Sequence, residues 1–347
     1  MINMTKNENR FKSVKYYMLT MICIAFIVCI IGCESSPTRT NEDPEPIYPE
    51  PGIITMVTTA EEVLLGIYGK GPVKINWNDE LEVRTTLREY HFHYKSEFRY
   101  DFRTGEAERL ITVKGHVTHL RVCSNSLIEL DVRLMPSLVE LFCIGNYLSE
   151  LDVSQNIQLR YLLCDGNRLT NLDVSRNTLL VALGCGRNLL TDLDISRNTL
   201  LYYLRAHDNQ LSSLDLSRNL LLEAFFVPDN RLTYLNISNL ALLDYLNVDS
   251  NYLKTIIMSD NLNIRGISVR RNLFSVDDLD RLYDSLPDRT YHNVNGTIWI
   301  HDNPGTNGSN KNIAENKNWI VDYDYDTYSE TNINELIKEN IFLWRKK

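Results

Sequence analysis

Apolar and polar residues between positions 118 and 274 repeat at a fixed period of twenty-one positions, without insertion or deletion. The consensus of one unit is LxCxxNxLxxLDVSxNxxLxx, and eight units begin at Leu120, Leu141, Leu162, Leu183, Leu204, Phe225, Leu246 and Ile267. Alternation at positions 1 and 3 predicts a short strand with these two side chains inward. Since one unit cannot bury its own apolar side chains, the units are expected to stack around one continuous core.

Position 6 of the repeat is asparagine in all eight units. The chain must turn inside the core after the strand, which leaves backbone N–H and C=O groups there in need of partners. An asparagine amide both donates and accepts, so a stacked column can satisfy them unit by unit. We therefore predict a structural ladder formed by Asn125, Asn146, Asn167, Asn188, Asn209, Asn230, Asn251 and Asn272. The pattern LxxLxCxxNxL resembles the leucine-rich repeat, which implies a right-handed solenoid with a parallel β-sheet on the concave face and little convex helix.

The second half of each unit, LDVSxN, is expected to return the chain to the next strand. Its aspartates form one column, Asp131, Asp152, Asp173, Asp194 and Asp215. A cation ladder is one interpretation, but we favour aspartates that cap local turns through hydrogen bonds to the backbone. Position 3 points inward and holds Cys143, Cys164 and Cys185, which are expected to be buried free thiols because other units place valine or alanine there. Cys123 lies one position out of phase and is expected to be exposed.

Three residues of each unit should point outward on the strand side: the residue before position 1, position 2 and position 4. Tyrosine and arginine, which dominate protein-interaction hot spots, recur there. The candidate ligand-binding residues on the concave face are Phe142, Tyr161, Leu163, Asp165, Tyr203, Arg205, His207, Phe226, Tyr245, Asp249 and Arg270. Gly184 and Gly186 are expected to leave a shallow gap between two aromatic groups. The alternative is that aromatic residues simply suit strands and pack against cross-strand neighbours.

Residues 53–117 contain strand-like segments and are interpreted as a small β-sandwich that caps the first unit. The segments VKINWNDE and YHFHY resemble the IDWGDG and HxY marks of sandwich modules related to polycystic-kidney-disease repeats. Asn76, Asn78 and Glu80 depart from those marks. His91 and His93 would share one strand face, but without a third ligand they do not predict a metal site.

Residues 275–327 are interpreted as an α/β cap at the other end. Ser275 and Asp278 have the spacing of a helix start, and GTIW and WIVDY are typical of strands around a short helix near Asn312. Residues 328–347 form an amphipathic tail helix in this interpretation, with the apolar stripe Ile333, Leu336, Ile337, Ile341 and Trp344. The tail is expected to dock on the cap or on a partner.

Residues 1–32 are typical of an export signal, because a basic segment precedes a short apolar run. The run from Met18 to Ile31 is shorter than the ~20 residues of a membrane-spanning helix. The sequence IIGC, ending at Cys33, resembles the lipobox of bacterial lipoproteins. That family implies cleavage before Cys33 and a lipid on its sulfur, whereas the alternative is an uncleaved anchor. Residues 33–52 are rich in proline and acidic residues and are expected to form an extended tether.

Charge and motifs narrow the class of function. The net charge of −9 argues against a general nucleic-acid binder, which neutralises phosphates with clustered lysine and arginine. The sequence contains no phosphate loop, nucleophile elbow or HExxH motif, so we predict no enzyme and no cofactor.

The lipobox, the sandwich, the repeats and the NPG…W segment together resemble leucine-rich-repeat surface lipoproteins of Gram-negative anaerobic bacteria. In repeat organisation these are similar to internalins and related adhesins. The resemblance implies a lipid anchor in the outer membrane, at the cell surface or on its periplasmic face, and binding of proteins or glycans. We favour an extracellular protein, from a host or from bacteria, as the partner. A carbohydrate-binding accessory role and a structural role in the envelope are the alternatives.

Overall fold

The structure is a computed structural model that describes residues 51–78, 81–87, 97–102, 108–259, 261–292 and 294–322. The predicted lipidation site Cys33, the pair His91 and His93, and the tail 328–347 lie outside the described residues. The strands in chain order are β1 Gly52–Thr58, β2 Glu62–Trp77, β3 Leu81–Leu87, β4 Glu97–Asp101, β5 Arg109–Arg121, β6 Leu127–Leu134, β7 Glu140–Phe142, β8 Tyr161–Leu163, β9 Ala182–Gly184, β10 Tyr203–Arg205, β11 Ala224–Phe226, β12 Leu235–Asn236, β13 Tyr245–Asn247, β14 Ile256–Ile257, β15 Gly266–Ser268, β16 Gly296–Trp299 and β17 Trp319–Asp322. The helices are α1 Val276–Ser285 and α2 Asn312–Glu315.

The repeat units form successive coils that share one parallel sheet. The end of β5 pairs with β7, and pairing continues through β8, β9, β10, β11, β13, β15, β16 and β17. Within the eight units the register advances by one repeat, so that Leu141 pairs with Leu162 and Leu162 with Leu183. These position-1 side chains are fully buried, and each contributes about 1.5–3 kcal/mol through the hydrophobic effect. The predicted leucine-rich-repeat solenoid is confirmed.

Each strand leaves the sheet through a residue with left-handed backbone geometry at position 5. The φ angles lie between 51° and 69° at Ser124, Gly145, Gly166, Arg187, Asp208, Asp229, Ser250, Arg271 and Asp302. Only two of these residues are glycine, so most coils accept a cost of about 1–2 kcal/mol for this conformation. The asparagine at position 6 stabilises the turn: Asn188 accepts from Leu169 N at 3.0 Å and donates to Cys164 O and Cys185 O at 3.1 and 3.0 Å.

The return side of the coils consists of turns. The Oδ1 atoms of Asp152, Asp173, Asp194 and Asp215 each accept from the backbone N–H two residues later at 2.9 Å, as the turn-capping interpretation predicts. A second asparagine column, which was not predicted from the sequence, is buried at position 16: Asn156, Asn177, Asn198, Asn219 and Asn261. Their Nδ2 atoms donate to carbonyl oxygens of the preceding coil, as Asn177 does to Val153 O and Asn156 O at 2.9 Å.

Antiparallel strands precede the first coil. β2 pairs with β3, β4 and β5, whereas β1 pairs with β5 and β6. β5 belongs to both arrangements, because its residues Arg109–Gly115 pair antiparallel with β1 and His119–Arg121 pair in parallel with β7. The predicted domain boundary at residue 118 therefore falls inside one continuous strand. The sandwich interpretation of residues 53–117 stays a prediction.

The sheet continues beyond the eighth unit. Ile298 in β16 pairs with Ile267, Asp302 repeats the left-handed turn, and Asn303 accepts from Asn272 N and donates to Val269 O. This ninth coil was not predicted, because α1 lengthens the spacing of the asparagines from 21 residues to 31. Ser275 and Asp278 form the capping box of α1, in which Ser275 Oγ accepts from Asp278 N at 3.2 Å. Part of the segment predicted as a cap thus extends the solenoid.

Candidate functional site on the strand face

The strand face consists of the outward side chains of the parallel strands and of the residue two positions after each strand, at position 4 of the repeat. Alternation places the residue before position 1 and the residue at position 2 on the opposite side of the sheet from the buried position-1 side chains. The predicted binding residues all belong to these positions. The contacts divide them into an aromatic row, three ion pairs and a few single residues.

The aromatic row crosses the last described coils. The ring centroids of Tyr203 and Phe226 are 5.9 Å apart, those of Phe226 and Tyr245 are 5.5 Å apart, and those of Tyr245 and Trp299 are 6.0 Å apart. Trp299 was not predicted, because it lies in the ninth coil outside the regular repeat. Gly266 makes room for the row, since a Cβ there would lie 2.2 Å from Cε2 of Tyr245. These ring contacts hold the aromatic side chains in a fixed arrangement across the sheet.

The expected gap at Gly184 and Gly186 is wrong, because side chains from neighbouring coils fill it. A Cβ at Gly184 would lie 2.6 Å from Oδ2 of Asp165, and one at Gly186 would lie 2.0 Å from Nδ1 of His207. Arg205 reaches across the glycine coil to Asp165, with Nη2 and Oδ2 3.0 Å apart, and Asp165 Oδ1 also accepts from Gly186 N at 2.9 Å. The glycines therefore let an ion pair span two coil steps.

Burial and neighbouring charges shift the pKa values of Arg205 and His207. Burial lowers the pKa of the Arg205 guanidinium, but the Asp165 carboxylate outweighs burial and holds that pKa above its ordinary value. Burial and the positive charge of Arg205 together lower the pKa of His207 to about 4. Arg205 is therefore charged and His207 is neutral near neutral pH.

Two further ion pairs lie at the ends of the strand face. Asp249 accepts from Arg270 Nε and from Ser268 Oγ, each at 2.6 Å. At the other end, Arg121 Nε donates to Glu140 at 2.6 Å, and its guanidinium carbon lies 5.1 Å from the centroid of the Phe142 ring. The three arginines each have a carboxylate partner, so these pairs add no net charge to the strand face.

Most predicted binding residues are buried. The exposed fraction is 1% for Phe142, 5% for Tyr203 and 0% for Asp165, and Leu163, Phe226, Tyr245 and Asp249 are also buried. Contacts between neighbouring coils contribute to this burial. Tyr161, Arg205, His207 and Arg270 keep partial exposure.

The described cysteines are free thiols that are buried or half-buried. Cys143, Cys164 and Cys185 are buried free thiols at position 3, and burial raises their pKa values. Cys123 is half-buried rather than exposed, and burial raises its pKa to about 11. Among the described residues, no cluster of three or more His, Cys, Asp or Glu side chains has an arrangement that could hold a metal ion. In the same part of the chain, no helix has the length and apolar character needed to cross a membrane.

No protein-family model matches the chain, and no curated protein matches it. Solved structures do resemble it. The functional domain of InlJ from Listeria monocytogenes is 23% identical with a TM-score of 0.40, over 61% of this chain and 55% of that one. A leucine-rich-repeat protein of Leptospira interrogans is 20% identical with a TM-score of 0.48, over 55% and 50%. YopM, a leucine-rich effector of Yersinia pestis, is 24% identical with a TM-score of 0.41, over 54% and 57%.

The chain thus spans about half the length of each of these structures. The likeness concerns the repeat fold alone, and the fold itself is established by the coils of this chain.

Proposed function

We propose that this protein is exported, anchored to the bacterial outer membrane by a lipid on Cys33, and binds an extracellular protein through its strand face. The signal-like residues 1–32 and the proline-rich residues 33–52 support an anchored module held away from the membrane. Its role is adhesin-like, and it involves no catalytic step and no cofactor. Loss of radiolabelled palmitate from a Cys33→Ser variant tests the anchor.

The aromatic row beside paired arginines is the observation that carries the protein-binding role. Tyrosine, tryptophan and arginine side chains dominate protein-interaction hot spots. Tyr203, Phe226 and Tyr245 are held by stacking, and Arg205 and Arg270 are held by carboxylates. Such a surface loses little conformational entropy when a partner binds.

Binding of a glycan at the strand face is less well supported. A sugar ring stacks on an aromatic ring whose flat side is open. The planes of Phe226 and Tyr245 are inclined by only 26° at 5.5 Å, so each ring covers part of the other. A protein partner tolerates a mixed patch of ring edges and guanidinium groups.

A pair of alanine-to-lysine variants tests the surface without removing any buried contact. Ala224 is half-buried on the strand face between Tyr203 and Tyr245, whereas Ala241 is exposed on the return side. The full chain in mild detergent is applied to an array of extracellular proteins and glycans. Protein binding that is lost in Ala224→Lys and retained in Ala241→Lys supports the proposal. Equal loss in both variants, or binding to glycans that Ala224→Lys weakens, contradicts it.

A further inference from the structure

The sixth repeat unit departs from the consensus at four return-side positions. Units three to five carry arginine at position 15, as Arg176, Arg197 and Arg218, whereas the sixth carries Asn239. Tyr234 replaces the small or acidic polar residue of units two to five at position 10, Asn236 replaces the aspartate at position 12, and Leu240 replaces the buried asparagine at position 16. The other units serve as an internal reference, and the four changes all fall on the return side of one coil.

These four residues line one cleft. The cleft has a volume of about 300 Å³, and residues from the fifth coil, including Ser213 and Asp215, form its other wall. It lies on the return side of the coils, away from the strand face. The volume is at the lower end of the range of about 300–1,000 Å³ for ligand pockets, so it suits a ligand of one ring.

Each departure from the consensus contributes to the cleft. Asn239 is shorter than the arginine that units three to five carry at position 15, and so leaves space. Tyr234 adds an aromatic wall that is 53% exposed. Asn236 Oδ1 accepts from Ser238 N at 3.0 Å, which leaves its Nδ2 as a donor. Leu216 and Leu240 supply a buried apolar base.

The charge of the cleft selects among ligands. Asp215 Oδ1 accepts from Ser217 N at 2.9 Å, and this hydrogen bond lowers the pKa of the carboxyl group, which is therefore ionised near neutral pH. No lysine, arginine or histidine is among the residues that line the cleft, although the charge of Arg218 next to Ser217 also lowers the pKa of Asp215. Negatively charged ligands are disfavoured, whereas ligands rich in hydroxyl donors are favoured.

We propose that this cleft binds one uncharged sugar ring. The apolar face of the sugar stacks on Tyr234, its hydroxyl groups donate to Asp215, and Asn236 and Asn239 donate to its oxygen atoms. An exposed aromatic ring beside a carboxylate, amides and hydroxyls matches a sugar, which has one apolar face and an edge of hydroxyls. The site is independent of the proposed protein-binding strand face.

Saturation-transfer NMR on the full chain in mild detergent tests the site. The probes are glucose, galactose, mannose and N-acetylglucosamine, with sialic acid as the anionic comparison. Tyr234→Ser and Asn239→Arg restore residues that other units carry at these positions, so both variants are expected to fold. Tyr252→Ser is the matched control, because Tyr252 is 51% exposed and does not line the cleft.

We expect at least one neutral sugar to receive saturation, with at least a tenfold loss of affinity in Tyr234→Ser and in Asn239→Arg and no change in Tyr252→Ser. The strand-face variant Ala224→Lys should retain sugar binding, which separates this site from the proposed protein-binding surface. Silence across all four neutral sugars, stronger binding of sialic acid, or binding that survives both cleft variants would overturn the proposal.

Discussion

The strand side and the return side of the same coils use similar residues in different ways. On the strand side, carboxylates bond to other coils: Asp165 reaches Gly186 and Arg205, which are 21 and 40 residues away. On the return side, each aspartate from Asp152 to Asp215 bonds to a backbone N–H only two residues away. Carboxylates on the strand side therefore hold neighbouring coils together, whereas the aspartates on the return side shape their own turn.

The two asparagine columns both connect neighbouring coils, but they differ in how completely their amides are used. Asn188 both accepts and donates, and the carbonyl of Cys185 receives Nδ2 from Asn188 and from Asn209. Asn177 only donates, because its Oδ1 has no hydrogen-bond partner among the described residues. The strand-side column is complete in all eight units, but Leu240 interrupts the return-side column. A substitution should thus cost more, and spread further, on the strand side.

The largest effect is expected for Arg205→Ala. This variant leaves the fully buried Asp165 carboxylate without its cation, and breaking a buried ion pair in this way costs about 3–5 kcal/mol. Urea denaturation followed by circular dichroism measures the loss. The return-side pair gives the contrast, because Arg133 and Asp131 are exposed and Arg133→Ala is expected to leave the midpoint unchanged.

Adding a substitution at Asp165 to the Arg205→Ala variant separates the cost of the unpaired charge from the cost of the lost arginine packing. Asp165→Asn in the Arg205→Ala background removes the unpaired charge but keeps an acceptor for Gly186 N. We expect the double variant to be more stable than Arg205→Ala alone. A double variant that is no more stable would show that lost packing of the arginine, and not the stranded carboxylate, dominates.

The next largest loss of stability is expected for Asn188→Ala, and Asn177→Ala gives the contrast. The first leaves Leu169 N–H without a partner in the core and removes donors to two carbonyl oxygens, which costs about 3 kcal/mol. The second removes donors to Val153 O and Asn156 O, which keep their turn hydrogen bonds, and costs about 1–2 kcal/mol. Matched urea titrations compare the two variants. Equal losses would contradict the distinction between the columns.

The solenoid could be predicted from the sequence because its determinants are local and periodic. Leucine at position 1 and asparagine at position 6 recur every 21 residues, and each position has one physical role. The ninth coil carries the same signals at Ile298 and Asn303, but the extra residues of the α1 segment hide them from a search at fixed period.

The arrangement of the strand face could not be predicted in the same way. Alternation shows that Asp165 and Arg205 point outward, but only the three-dimensional structure shows that the glycine coil between them lets them meet. Outward direction therefore does not by itself establish exposure. The cleft of the sixth unit also needed the structure, because the departures of Tyr234 and Asn239 from the consensus gain meaning only where they line one space.

The smallest expected effect is a pH dependence of folding stability that arises from His207 on the strand side. Its pKa is about 4 in the folded chain and about 6.5 when unfolded, so between these values the unfolded chain binds a proton that the folded chain does not. Stability from the neutral ring is complete above pH 6.5 and declines as the pH falls towards 4. We expect wild type to lose about 2 kcal/mol more than His207→Gln between pH 7 and 4.5, measured by urea titration at each pH. The exposed His292→Gln is the control and should follow wild type. Identical pH profiles for wild type and His207→Gln would show that folding does not lower the pKa of His207.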